Sequence, residues 1–369
     1  MKLTNRTRFE AGFEQAAFKD DRDGVVIVVK ATYQIPAENN GTVKLAVEQV
    51  PLVSEDTFSD YAPSECADLI YESDFGSFKP RCDIVLMGSA HAPASEPVEE
   101  LAVMVRVGQW QKRIRVVGHR QWTKNTLGFW QLSSPKPFTQ MPLDYQHAFG
   151  GNQEVAKERE LFEENPAGKG FVYDKSYITS GTLAAPNLFS MDPQENYKSL
   201  GQICRPISFA PLSSLVPPRL GLAGTFDDAY VQERFPALPN DFDYGFIQIA
   251  PQDQQVPYLA GGESVELYQL MSQGYKTFVL PKMTPAVWVY REGEKTDMPM
   301  LPNLDTLFIE PDKQRFQMTW RVRIPFKKNI HEIEEVIIGK QSRAWQRARQ
   351  KNKSYYASLA DLPKKRSQL

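Results

Sequence analysis

The sequence is poor in the residue types that catalytic and metal chemistry most often use. Three cysteines, Cys66, Cys82 and Cys204, stand among 369 residues. So odd and sparse a set argues against a disulfide framework and fits a reducing compartment. Four histidines, at positions 91, 119, 147 and 331, lie too far apart in the chain for the paired spacing of a zinc site. No apolar run approaches the roughly 18–20 residues that a membrane-crossing helix needs. The opening Met1-Lys2-Leu3-Thr4-Asn5-Arg6 lacks the apolar stretch of a secretory signal, so a cytoplasmic location is expected. A net charge of only −2 gives no case for nucleic acid, and nothing in the chain asks for a membrane or a cofactor. No fixed-period repeat points to a solenoid or propeller.

What the chain has in quantity is strand signal. Asp20-Asp21-Arg22-Asp23-Gly24 runs straight into Val25-Val26-Ile27-Val28-Val29. Five consecutive β-branched residues suit a strand buried on both faces and crowd χ1 in a helix. The pattern then alternates, with Lys30, Thr32 and Gln34 as a polar stripe. Further strands are expected at 42–47, 83–88, 101–107, 112–117, 263–270, 276–279, 286–290, 306–309 and 315–324. Residues 103–107 and 113–117, split by Gly108-Gln109-Trp110-Gln111, read as a hairpin. In the last run Phe316, Met318 and Trp320 share one face, and Gln317, Thr319 and Arg321 the other.

Twelve of the 27 prolines fall in residues 138–257, and they bar a continuous helix through Pro206, Pro211, Pro217 and Pro218. One short helix is expected at 227–235, stopped by Pro236. Beyond Gly339 the chain turns helix-friendly, with Ala344, Trp345 and Ala348 on one face. The expected fold is mainly β (β-rich α+β), with antiparallel sheets in one or two closely associated lobes and a C-terminal helix. The expected divisions are an N-terminal β-rich lobe (1–150), a Pro/Gly-rich middle and C-terminal β lobe (151–339), and a basic helical tail (340–369). That tail holds nine of the 43 basic residues and one of the 45 acidic ones, so the body keeps 34 against 44.

Candidate chemistry is thin. Asp74-Phe75-Gly76 has the letters of a kinase magnesium motif without its companion loops, and reads as a turn. Gly168-Lys169-Gly170 and Gly221-Leu222-Ala223-Gly224-Thr225 lack the spacing of a phosphate-cradling loop. The best enzymatic constellation is Cys66 with His91, His119 or His147 as base, if the fold brings them together. Paired acids such as Asp227-Asp228 and Glu99-Glu100 would suit a glycosidase only with a second carboxylate opposite. In the tail, Arg343, Trp345, Arg347, Arg349, Tyr355 and Tyr356 combine arginine with aromatics. They are candidate partner-binding residues, and docking of the tail on the acidic body is the alternative. No residue is assigned to catalysis, cofactor binding or metal.

Several blocks in order resemble the bacterial domain of unknown function 2169. They are Asp21-Arg22-Asp23-Gly24 with Val29-Lys30-Ala31-Thr32-Tyr33, then Tyr61-Ala62-Pro63-Ser64-Glu65 and Lys79-Pro80-Arg81-Cys82-Asp83. Asp144-Tyr145-Gln146-His147-Ala148-Phe149-Gly150-Gly151, Asn165-Pro166-Ala167-Gly168-Lys169-Gly170 and Pro186-Asn187-Leu188 follow. Gly224-Thr225-Phe226-Asp227, Asp305-Thr306-Leu307-Phe308-Ile309 and Trp320-Arg321 close the series. The family usually has Trp where Thr225 stands here. The resemblance implies a non-enzymatic adaptor or chaperone in the cytoplasm of a Gram-negative bacterium. Such a protein binds a type VI secretion effector and helps load it onto the VgrG-type spike or its PAAR-type tip. The alternatives are a β-rich hydrolase acting on cell-wall or carbohydrate polymer, and a structural component of the secretion apparatus.

Overall fold

The computed structural model describes residues 1–59, 68–178, 181–195, 197–293, 298–351, 353 and 355. In chain order its principal strands begin with β1 (Lys2–Asn5), β2 (Glu10–Ala17), β3 (Asp23–Gln34), β4 (Cys82–Leu86) and β5 (Glu100–Val107). Next come β6 (Trp110–Val117), β7 (Leu188–Phe189), β8 (Gln255–Val256), β9 (Ser264–Tyr268) and β10 (Tyr275–Val279). Last are β11 (Val287–Arg291), β12 (Asn303–Glu310), β13 (Arg315–Pro325) and β14 (Ile333–Ile338). The α-helices are α1 (Pro217–Leu220), α2 (Asp228–Glu233) and α3 (Arg343–Gln350).

The Val25–Val29 run forms the middle of β3, which is buried on both faces from Gly24 to Tyr33. It is central because it pairs on both sides, antiparallel to β2 and to β13. The sheet runs β2-β3-β13-β12-β4-β8, with β12 and β4 parallel and the other neighbours antiparallel. A second, wholly antiparallel sheet runs β7-β6-β5-β9-β10. A third joins β1 and β11 to the two sides of β14. Both large sheets draw strands from either side of residue 150.

One face of the first sheet supplies two cores. Ala31, Leu307, Phe316, Met318 and Trp320 pack against Val105, Ile114, Leu267 and Phe278 of the second sheet. The rings of Phe278 and Phe316 stack with centroids 5.1 Å apart. At the other end of β3, Val25, Ile27 and Val29 meet Val287, Val336 and Ile338 of the third sheet. Apolar burial on this scale drives the assembly, at about 1.5–3 kcal/mol for each large side chain removed from water.

The opposite face of the first sheet is buried too, and beside small apolar clusters around Val28 and Phe308 it carries a polar network. Lys30, Asp83, Thr306, Glu310, Gln317, Thr319 and Arg321 are all almost without solvent exposure. Such groups tolerate burial only when partnered, and here the charged ones are. Lys79 Nζ bonds Asp83 Oδ2 at 2.6 Å and Thr306 Oγ1 at 3.0 Å. Asp83 also accepts from the Ile249 and Ala250 amides and from Gln248 Nε2. Arg321 pairs with Asp305 and donates through Nε to the Asp74 carbonyl at 2.8 Å. Lys30 pairs with Asp74, whose Oδ2 also accepts from the Val53 amide. At the end of the sheet Glu310 accepts from Arg315, Lys313, Gln317 and Tyr71. Burial alone would raise the Glu310 carboxyl, but those donors hold it down at about 2.

Two expectations need correction. The strand expected at 42–47 shrinks to Lys44–Leu45. Gln49 folds back to bond the Ala46 and Thr32 carbonyls, which ends the pairing, and Val47 is left exposed. The four-residue connection expected at 108–111 is two residues, because Trp110 and Gln111 pair with Val107 and Arg106. The helix expected at 227–235 is α2, capped by the Asp227 carboxylate on the Tyr230 amide at 2.8 Å.

Candidate functional site

The blocks around 144–151, 165–170 and 186–188 converge in one interlocked turn cluster. Asn165 Nδ2 donates to the Tyr145 and Phe149 carbonyls, at 2.9 Å each. Asn187 is fully buried, donating to the Val117 carbonyl and accepting from Lys169 Nζ at 3.0 Å. Gly150 has φ 147°, and a Cβ there would lie 2.1 Å from the Asn165 carbonyl oxygen. Only glycine allows this approach, and Gly168 and Gly170 are hemmed in likewise by Asn165 and Pro186, so the Gly168-Lys169-Gly170 letters serve chain packing.

Ionisable groups sit on this cluster. Asp144 caps the turn, accepting from the His147 amide at 3.1 Å and contacting its Nδ1 at 2.6 Å. His119 lies beside it, with ring centroids 6.2 Å apart. Asp68 accepts from the Gln146 amide at 2.9 Å. Burial, then the neighbouring Asp144 charge, pushes the Asp68 carboxyl up to about 7. Burial lowers His119, with Lys169 and His147 adding to the effect. Burial also lowers Lys169, against the pull of Asp144. Of these, Asp68 is the group raised far enough to hold or exchange a proton near neutral pH.

The sign of the linkage follows. Asp68 is raised in the fold from its ordinary 3.8, so its contribution to stability is full below 3.8 and is lost as pH rises through about 7. Acidification from neutral pH toward about 5 is expected to raise the denaturation midpoint through this group. Asp68→Asn should flatten that slope. An unchanged slope in urea titrations at the two pH values would refute the assignment.

Other sequence candidates are dispersed. His91 lies apart from the pair, with Nε2 2.8 Å from Asp312. Cys66 lies outside the described residues, and Cys82 and Cys204 are buried, their thiols pushed up by burial. Asp74, of the kinase-like letters, is the Lys30 partner. Among the described residues no group of three His, Cys, Asp or Glu side chains could hold a metal ion. A cavity of about 450 Å³ is lined in part by Lys112, Tyr145, Arg205 and Asp253. Burial brings Lys112 down to about 8, and its Nζ is engaged by Ser208, Asp253 and Gln254.

The tail residues divide. Trp345 packs edge-on against Tyr290 at 5.9 Å and takes Arg6 over its ring at 4.7 Å. Arg349 pairs with Glu335 and lies 4.0 Å from the Tyr290 ring centroid. These two dock α3 on the body. Arg343, Arg347 and Tyr355 are exposed, and Tyr356 lies outside the described residues. Trp345→Ala should cost about 1–2 kcal/mol of stability, and Arg347→Ala less than about 0.5 kcal/mol. Equal melting temperatures for the two variants would overturn this division.

The surface feature that sequence reasoning missed lies at 226–235. Phe226, Val231 and Phe235 are 61%, 61% and 69% exposed, an uncommon outlay of large apolar groups on one short excursion. Tyr230 ties them together, 4.9 Å from the Phe226 ring and 6.5 Å from that of Phe235. The excursion is held from below. Arg234 bonds Asp21 at 2.6 Å and the Leu238 carbonyl at 2.9 Å, and Tyr230 bonds the Ala237 carbonyl at 3.0 Å. Thr225, in the family's Trp position, is fixed by Asp241 through both its amide and its hydroxyl. The Phe226 and Phe235 letters were the available signal, in a segment whose helical reading hid their exposure.

No curated protein and no solved structure matches the chain. A family match covers residues 20–321, which takes in the polar sheet face, the turn cluster and the aromatic excursion. The chain belongs to that family, described as "Uncharacterized protein conserved in bacteria (DUF2169)".

Proposed function

We propose that this chain is a non-enzymatic cytoplasmic adaptor that binds a type VI secretion effector and helps load it onto the VgrG-type spike or its PAAR-type tip. The observation that carries the reading is the apolar ledge of Phe226, Val231 and Phe235, two of them aromatic, braced on the β scaffold through Arg234 and Asp21. Exposed aromatic anchors held by a stiff support are what a protein-binding surface needs. Asp227, Asp228 and Glu233 are exposed in the same segment and suit a cargo with basic residues at its rim. The charged residues of the family blocks point the same way. Lys30 is paired with Asp74, Lys79 with Asp83 and Arg321 with Asp305 inside the fold, where they hold the scaffold.

The test is a pull-down of the tagged chain from its own host, with bound proteins identified by mass spectrometry. Recovery of a toxin-like protein together with a spike or tip component is the expected result. Recovery of neither, from cells expressing their secretion genes, would overturn the proposal. The hydrolase reading has one observation in its favour, the Asp68–Asp144–His147 grouping. It requires release of soluble fragments from cell-wall or carbohydrate polymer that His147→Ala abolishes.

A further inference from the structure

We propose that β2 is an acceptor edge for an extended, lysine- or arginine-bearing segment of the cargo, which pairs with it as an added strand. This rests on the adaptor reading and names the chemistry of the partner. Among the described residues β2 ends its sheet, with β3 on one side and no strand on the other. The Phe18 amide donates to the Arg22 carbonyl at 2.9 Å, closing the hairpin. Bonded pairs in an antiparallel ladder alternate from there. The register therefore turns the main chains of Ala16, Glu14, Gly12 and Glu10 toward β3, and those of Ala11, Phe13, Gln15 and Ala17 outward. Among the described residues these four outward amides and carbonyls have no hydrogen-bond partner.

Exposed edges are ordinarily blunted by proline, charged side chains (lysine above all), a bulge or extreme shortness. β2 has no proline, lysine or bulge, and its two charged residues, Glu10 and Glu14, are both acidic. It spans eight residues in unbroken register. Residues 13–15 are exposed, and Ala11, Gly12, Ala16 and Ala17 carry no side chain long enough to shield the edge.

The occupant is set by charge and by position. Glu10 and Glu14 lie on one face of the strand, and the body of the chain holds 44 acidic against 34 basic residues. A second copy would bring two such surfaces together, whereas a cationic strand is attracted. Position adds the cargo. Asp21, in the turn that follows β2, is bound by Arg234 of the aromatic excursion, so the ledge stands at that end of the edge. A segment paired along β2 runs toward Phe226 and Phe235, and main-chain bonding and aromatic anchoring act on one ligand.

The experiment uses an eight-residue peptide alternating Lys and Val, N-methylated on every second residue so that only one of its edges can pair. Amide exchange is followed by NMR in the full chain. Without peptide, Ala11, Phe13, Gln15 and Ala17 should exchange fast and Gly12 and Glu14 slowly. With peptide, the outward set should become protected. Gln15→Pro removes one outward donor and none of the bonds to β3, as suits an edge position. It should weaken binding about tenfold, and Glu14→Lys by a similar factor. Absence of protection at the outward amides, whether or not the peptide binds, overturns the proposal, as does full-strength binding to Gln15→Pro with its circular dichroism unchanged. Should that variant fail to fold, the exchange pattern of the natural chain decides. The two readings separate cleanly. Protected amides with no effector in the pull-down sink the adaptor and keep the edge, and the reverse result does the opposite.

Discussion

Replacing Arg321 by methionine will lower the stability of the protein by about 3–5 kcal/mol, the usual effect of leaving a buried charge without its partner. The side chains of Arg321 and Asp305 are only 5% and 3% exposed, so water cannot take the place of the lost guanidinium. The Asp74 carbonyl, which accepts from Arg321 Nε, loses its donor as well. Burial already holds the Asp305 carboxyl above its ordinary value, against the pull of Arg321 and Lys79. Without Arg321 it will rise further and take up a proton. A group raised in the fold stabilises most when protonated, so the deficit of Arg321→Met should shrink as pH falls. The double variant Asp305→Leu/Arg321→Met should recover much of the loss, because a packed apolar pair removes the uncompensated charge. Guanidinium denaturation at neutral and mildly acidic pH measures all three effects. A single variant within about 1 kcal/mol of the natural chain would show that the pair is not what holds this face.

That polar face marks where the sequence stops being readable. The Val25–Val29 run declared its strand, and the structure extends it by only two residues toward the N-terminus. The alternation at 316–321 assigned Trp320 and Arg321 to opposite faces, as found. It did not say that both faces are buried. Lys30, Thr32 and Gln34 look like any solvated stripe, since period reports direction and not depth. What buries Lys30 is the segment carrying Asp74, 44 residues away. The parallel pairing of β4 with β12 sets Asp83 opposite Thr306, and no local pattern encodes so distant a register.

The turn cluster was half legible. Asp144, His147, Gly150, Asn165 and Lys169 all stood in the blocks that carried the family resemblance. Their convergence, and the rise of Asp68 beside them, follow from bonds between loops that carry no periodic signal. The tail was the reverse case. Its arginines and aromatics were conspicuous, but Trp345 and Arg349 turn inward onto Tyr290 and Glu335.

Phe226→Ala with Phe235→Ala will weaken capture of the cargo by at least about 2 kcal/mol, some thirtyfold in Kd, while leaving the melting temperature nearly unchanged. Both halves of that expectation come from exposure. The rings are mostly in solvent, so the fold loses little when they go. A partner that seats on them would desolvate both, and central aromatic anchors carry most of the energy of such contacts. Tyr230 should matter differently. Its hydroxyl bonds the Ala237 carbonyl, so Tyr230→Phe tests bracing rather than contact and is expected to weaken capture less. Salt separates anchor from rim. The acidic Asp228 and Glu233 will speed association with a basic cargo at low ionic strength, an effect that salt screens, whereas the aromatic contribution resists salt and appears in the dissociation rate. Surface plasmon resonance on the effector recovered by pull-down measures both rates. Equal affinity of the double alanine variant and the natural chain would remove the ledge from the interface and leave the edge of β2 to carry the cargo alone.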